Sequence, residues 1–167
     1  MRKLLLILII SASLGQSSCE RDDICAETTP TTPLLIIDFY DVNNPSLLKA
    51  PNNLTVTTII DQEVNEVLAL VNLESIEIPL RTNAELTTYS FTINTAEDDD
   101  EEANTDDLTF TYTVTDEFVN KACGFRVVYD DLQNTIDPLQ DGAWIQNIDI
   151  ENPTVNDQTE AHISIFH

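Results

Sequence analysis

Carboxylates are the most concentrated chemistry in the chain: Glu97, Asp98, Asp99, Asp100, Glu101, Glu102, Asp106 and Asp107 place eight acids within eleven residues. Oxygen ligands hold calcium when several converge at about 2.4 Å, and Asp98, Asp100, Glu102, Asn104 and Asp106 alternate as such a site would use them. The segment has no glycine to make the sharp turn of a wrapping loop, and mutual repulsion favours an extended, solvated course. A solvated acidic hairpin loop over 94–107 is the expectation, with a cation loop as the alternative. A second acidic stretch, Asp130 and Asp131 with Asp137 and Asp141, is thinner and is expected as a turn region.

Other reactive groups are sparse. His162 and His167 are the only histidines; five apart in one predicted strand, they face opposite sides and cannot share a metal ion. His162 is the sole candidate base for a serine nucleophile. Trp144, the single tryptophan, would suit a sugar cleft but at a strand start is expected in the core. Arg81 and Arg126 are isolated cations expected to pair with nearby carboxylates, with an anion grip as the alternative. A carboxylate pair for glycoside hydrolysis is defined by its separation in space, which an abundance of acids does not establish. Gly15, Gly124 and Gly142 are the only glycines, too far apart for a phosphate loop, a dinucleotide fingerprint or a nucleophile elbow. No enzyme is expected and no cofactor is implied.

The chain has 167 residues, 7 basic and 30 acidic, for a net charge of −23. Such a surface repels nucleic acid, which is excluded as a partner. One domain is expected at this length.

Arg2 and Lys3 precede an apolar run over 4–10, followed by small polar residues up to Cys19, the order of a secretory signal peptide. The run is far short of the roughly 20 residues of a spanning helix. Small residues directly before Cys19 resemble a lipobox, with Gln16 standing where leucine is usual. The resemblance implies cleavage after residue 18 and a diacylglycerol on Cys19, so that the membrane is met through an N-terminal lipid. Residues 1–18 are then a lipoprotein signal, 19–33 a lipidated acidic tether and 34–167 a single body. The mature chain carries five basic residues against 30 acidic, a net of −25. Cys25 and Cys123 are the two thiols left in an oxidising compartment, so a disulfide is the economical expectation and two free cysteines the alternative.

The body has a period of two. Leu108, Phe110, Tyr112 and Val114 alternate with threonines, as do Tyr89, Phe91 and Ile93 with Thr88, Ser90 and Thr92, which makes both half-buried strands. Further strands are expected over 34–40, 54–60, 63–71, 76–80, 125–129, 144–150 and 161–166. The 63–71 segment also fits helical spacing, and Pro79 argues for an edge position. Asn, Asp and Pro make the turns, as at 43–45, 137–138 and 151–153. About eight short strands predict an all-β antiparallel sandwich, immunoglobulin-like in architecture.

Arg21, Asp22 and Asp23 behind Cys19 resemble the export signal that sends Bacteroidota lipoproteins to the outer face of the outer membrane, a solvated charged tether being the alternative. The Cys-Glu-Arg-Asp-Asp-Ile-Cys start, Leu-Ile-Ile-Asp-Phe-Tyr-Asp near residue 40, Ile-Pro-Leu-Arg around Pro79 and Ala-Cys-Gly-Phe at 122–125 together resemble an uncharacterised family of Bacteroidota lipoproteins, a domain of unknown function. The resemblance implies a compact domain with paired cysteines and no particular activity. The expected protein is thus lipid-anchored in the outer membrane, facing the periplasm or the cell surface, with a structural or partner-binding role. A carbohydrate- or divalent-cation-binding module is the alternative, and an envelope-polymer hydrolase the third. A protein or glycan partner is left open.

Overall fold

The computed structural model describes residues 24–96, 101–139 and 142–167. Ten strands follow one another: β1 (Leu35–Asp41), β2 (Asn44–Leu48), β3 (Leu54–Ile60), β4 (Glu63–Val71), β5 (Ser75–Ile78), β6 (Leu86–Ile93), β7 (Asn104–Asn120), β8 (Gly124–Asp137), β9 (Asn147–Ile150) and β10 (Ile163–Phe166). They form two five-stranded sheets, one ordered β2-β1-β10-β9 with β5 also on β1, the other β4-β3-β6-β7-β8. The result is an all-β, sandwich-like body. All strand pairs are antiparallel except β1 with β10.

Alternation sets which side chains meet between the sheets. Leu35, Ile37 and Phe39 of β1, Ile163 and Ile165 of β10, and Ile76 and Ile78 of β5 face Val56, Phe91, Leu108 and Phe110 of the other sheet in one buried cluster. Every one of these positions follows the period of two in its strand. The 63–71 segment is a strand: its partners on β3 run from Leu54↔Val71 to Ile60↔Glu63. Asp61 and Gln62 close that hairpin with φ of 53° and 69°, the left-handed pair that a two-residue turn demands.

Three segments differ from expectation. Residues 43–45 read as a turn, yet Asp41 Oδ1 accepts the Asn43 amide at 2.7 Å and the chain goes straight into β2, whose five residues are all exposed. An edge strand with no buried face has no alternation to betray it, and it tolerates Pro45. The 130–137 stretch is not a turn region but the second half of β8, with Asp131 at φ 56° where the ladder with β7 shifts register. Third, Trp144 and Ile145 are buried ahead of β9, which itself starts only at Asn147.

β7 and β8 outgrow their sheet. β6 accompanies β7 only as far as Leu86↔Thr111. From Tyr112 to Asn120, β7 pairs with β8 alone in its sheet, an arm of roughly 26 Å at the usual strand rise. The base of the arm is held from the side by reciprocal amide bonds between Tyr129 and Val155.

Candidate functional site

The link from β5 to β6 crosses from one sheet to the other, so its carbonyls have no ladder to join. Three buried tyrosines supply the missing donors. The hydroxyl of Tyr89 donates to the carbonyl of Pro79, that of Tyr129 to Leu80 at 3.1 Å and that of Tyr112 to Arg81 at 3.0 Å. The Arg81 amide donates to Thr87 Oγ1 at 3.0 Å, and Thr87 Oγ1 lies 2.6 Å from the Tyr112 hydroxyl. Because a carbonyl only accepts, Tyr112 gives its proton to Arg81 and Thr87 gives its own to Tyr112. The three groups close a ring in which each bond polarises the next.

Burial raises all three phenol pKa values: that of Tyr129 is pushed up to about 12, with the neighbouring Tyr112 adding to the effect, and those of Tyr89 and Tyr112 also rise. The hydroxyls therefore stay protonated donors throughout the physiological range.

This frame fixes Arg81. Its half-buried side chain borders an open cavity of about 500 Å³ whose wall also includes Thr58, Asp61, Asn65, Asn83 and Thr87. Arg126 pairs with Glu117 at 2.5 Å and donates to the Asn156 carbonyl at 2.9 Å, as expected of it. Arg81 does not follow: among the described residues its guanidinium has no carboxylate within ion-pair distance. The frame fixes the backbone of Arg81, and a planar guanidinium can take a carboxylate through two parallel bonds.

A second organised region lies at the tip of the arm. Cys25 and Cys123 form a disulfide with Cα atoms 4.9 Å apart. Asn120 Oδ1 accepts the amides of Ala122 and Cys123 at 2.9 and 2.8 Å, and Gly124 supplies the positive φ of 74° that ends the turn. Thr32 Oγ1 accepts the Val127 amide at 3.0 Å. The tether thus runs beside β8 from tip to body.

The acidic segment divides. Asp98 and Asp100 lie outside the described residues, as do Cys19, Arg21, Asp22 and Asp23. Asp106 belongs to β7 and is fully buried, where its Oδ2 accepts the amides of Trp144 and Ile145 at 3.0 and 2.7 Å. Asp107 accepts from Ser90 at 2.6 Å. The Glu102 carbonyl accepts from Asn94 at 3.3 Å. The β6–β7 turn therefore spans 94–103, shorter than the loop expected over 94–107. Among the described residues no group of three or more His, Cys, Asp or Glu is placed to hold a metal ion.

Trp144 is a core residue whose indole N–H donates to the Phe91 carbonyl at 3.0 Å. His162 and His167 flank β10 rather than sit in it. His162 Nδ1 accepts the Ile36 amide at 3.1 Å, and His167 Nε2 lies 2.9 Å from the Lys49 carbonyl. Burial lowers the pKa of both rings.

Among the described residues no helix is long and apolar enough to cross a membrane. No curated protein and no solved structure matches this chain. Residues 53–167 match a family of unknown function, DUF6452. The match begins after β1 and β2, although β1 lies inside its sheet between β10 and the edge strands. It covers more than half of the chain, which therefore belongs to that family of unknown function.

Proposed function

We propose that the protein is a lipid-anchored component of the outer membrane of a Bacteroidota cell envelope, with a partner-binding and not a catalytic role. The observation that carries this is the pairing of Cys25 with Cys123. A disulfide belongs to an exported protein, and it leaves Cys19 as the odd cysteine of three, at the one position where the leader resembles a lipobox. Arg21, Asp22 and Asp23 then serve as the export signal to the cell surface. The partner is met through Arg81, whose cradle suits a single carboxylate on a larger polar molecule, a peptide end or an acidic sugar; polyanions are turned away by the acidic body.

Mass analysis of the mature amino terminus from source cells should find diacylglycerol on Cys19. Cys19→Ala should leave the precursor uncleaved, and a Cys19→Ala protein that is processed and membrane-bound as usual would end the lipoprotein reading. Protease shaving of intact cells should remove the wild type. Replacing Arg21, Asp22 and Asp23 by alanine should protect the protein, and unchanged shaving would remove the export role. For the cradle, titration with an N-acetylated dipeptide should move the Arg81 side-chain NMR signals. The amide-capped dipeptide should not, and equal responses to both would reject carboxylate recognition.

A further inference from the structure

We propose that the tip of the β7–β8 arm is a second membrane contact, in which Phe118, Phe125 and Ile24 enter the interface of the bilayer that holds the lipid anchor. The inference rests on the lipid-anchor reading for the identity of that bilayer. Its physical basis is the composition and placement of the tip.

Phe39, Phe91 and Phe110 are fully buried, whereas Phe118 and Phe125 are 57% and 66% exposed and Ile24 is 83% exposed. The two phenylalanines are partners in register across the hairpin and touch edge to face, with centroids 5.3 Å apart. Holding the hairpin together does not require aromatics there, since the ladder already does so. Two exposed rings and an isoleucine at the end of a rigid arm are what an interfacial anchor presents to lipid.

Chain length places a membrane beside them. Cys25 is tied to the tip and lies six residues from Cys19, so a lipid on Cys19 stays within about 21 Å of the tip at full extension. β7 and β8 run on together for roughly 26 Å beyond the last residue that β6 supports; Tyr112 and Tyr129 in the first part of that run belong to the core, and Phe118 and Phe125 lie at its exposed end.

Charge agrees. Residues 118–129 hold Lys121 and Arg126 and no acid, in a chain with 30 acidic residues. The acidic β6–β7 turn is at the other end of β7, whose 17 residues span roughly 53 Å, several screening lengths in physiological salt. The stretch over 118–129 thus meets anionic head groups with no acid of its own; beside it, Glu117 is paired with Arg126 and the tether carries Asp22, Asp23 and Glu27. Three points of attachment, the acyl chains and two aromatic rings, would fix the orientation of the body and leave the Arg81 cradle and the acidic turn directed away from the bilayer plane.

The test uses the mature chain with Cys19→Ser, which carries no lipid, mixed with vesicles of phosphatidylethanolamine and phosphatidylglycerol. Phe118→Trp should shift its emission to the blue on binding and be quenched by lipids brominated in their acyl chains. Phe118→Ser with Phe125→Ser should lower the vesicle partition about tenfold, while Leu47→Ser, an exposed residue on the edge strand β2 of the other sheet, should leave it unchanged. Equal urea midpoints for these variants would exclude a folding defect. Absence of quenching, or equal partition of the double serine variant, would overturn the proposal. Self-association through the tip without vesicles, lost in the double variant, would assign the patch to a second copy and overturn it too. Because these readings need no lipid on Cys19, they fail or succeed apart from the mass analysis of the amino terminus.

Discussion

The turn that leads into β7 and the turn that leads out of it are made of opposite materials. The first, residues 94–103, contains six of the eight clustered acids, while the second carries Lys121, a disulfide and two exposed phenylalanines nearby. Organisation is found where the charge is not. Among the described acids, Asp106 and Asp107, which have left the turn and entered the strand, accept bonds at 2.6 to 3.0 Å, and Glu101 in the turn accepts one from Asn94 at 3.4 Å. At the outgoing turn Asn120 accepts the amides of Ala122 and Cys123, the ladder pairs Asn120 with Gly124, and the disulfide ties Cys123 to the tether. Density of carboxylates marks a place to be solvated; convergence of hydrogen bonds marks a place that is held still.

The largest expected effect is at the tied end. Replacing Cys25 and Cys123 by serine removes a link between residues 98 apart and should cost about 4 kcal/mol on the chain-entropy account. Urea unfolding of the two forms measures it. A loss below about 1 kcal/mol would show that Thr32 and the flanking contacts hold the tether without the bond.

Next comes the acid at the base of the other turn. Asp106→Ala strands the amides of Trp144 and Ile145 in a buried setting and should cost about 3 kcal/mol. Chemical denaturation checks this, and a cost as small as that of an exposed acid would mean the two amides find other acceptors. A large effect for Asp106 beside none for its neighbours in the turn would sharpen the contrast between strand and loop.

Much of the body was legible because burial writes itself into alternation. Tyr89, Phe91, Leu108 and Phe110 declare their strands and their buried faces, and all four are in the core. β2 left no trace because none of its five residues is buried, and the second half of β8 reads as acidic turn because Asp130 and Asp131 sit where the register shifts. The Arg81 cradle was half legible. Tyrosine in place of phenylalanine at three core positions signals that hydroxyls need partners, but that all three meet successive carbonyls of one crossover depends on the sheets being stacked. The pairing of Cys25 and Cys123 followed from counting thiols, whereas the lack of an ion pair at Arg81 among the described residues could not be read, since sequence does not show which acids come within ion-pair distance.

The two histidines allow a smaller test, one at each end of the body. In the folded protein each pKa is depressed, chiefly by burial, so the unfolded chain binds protons first as the pH drops. Stability is therefore full above about pH 6.5 and falls as the pH is lowered through that value toward the folded pKa. His162 should dominate. Its Nδ1 accepts the Ile36 amide, so protonation sets two donors against each other, while His167 must donate from Nε2 to the Lys49 carbonyl and keeps that bond when charged. His162→Gln should flatten the dependence of Tm on pH between 5 and 7 in steps of about one unit, and His167→Gln should flatten it less. The reverse order would show that burial alone, and not the acceptor role, governs the acid limb.

The smallest effect is expected where the sequence is most charged. Asp98, Asp99 and Asp100 changed together to asparagine should alter stability by no more than about 0.5 kcal/mol, and in the stabilising direction, because like charges crowded in one turn repel more than they hold. Vesicle attachment should not respond either, since the turn is several screening lengths from the tip. Lys121→Glu, one charge at the other end of β7, should weaken attachment. A rise in Tm with millimolar calcium, abolished by the triple change, would break the comparison: the acidic turn would then be an organised cation loop after all. Without that rise, the acids that lead into β7 act only through their mutual repulsion, and the contrast with the tied turn at Cys123 stands.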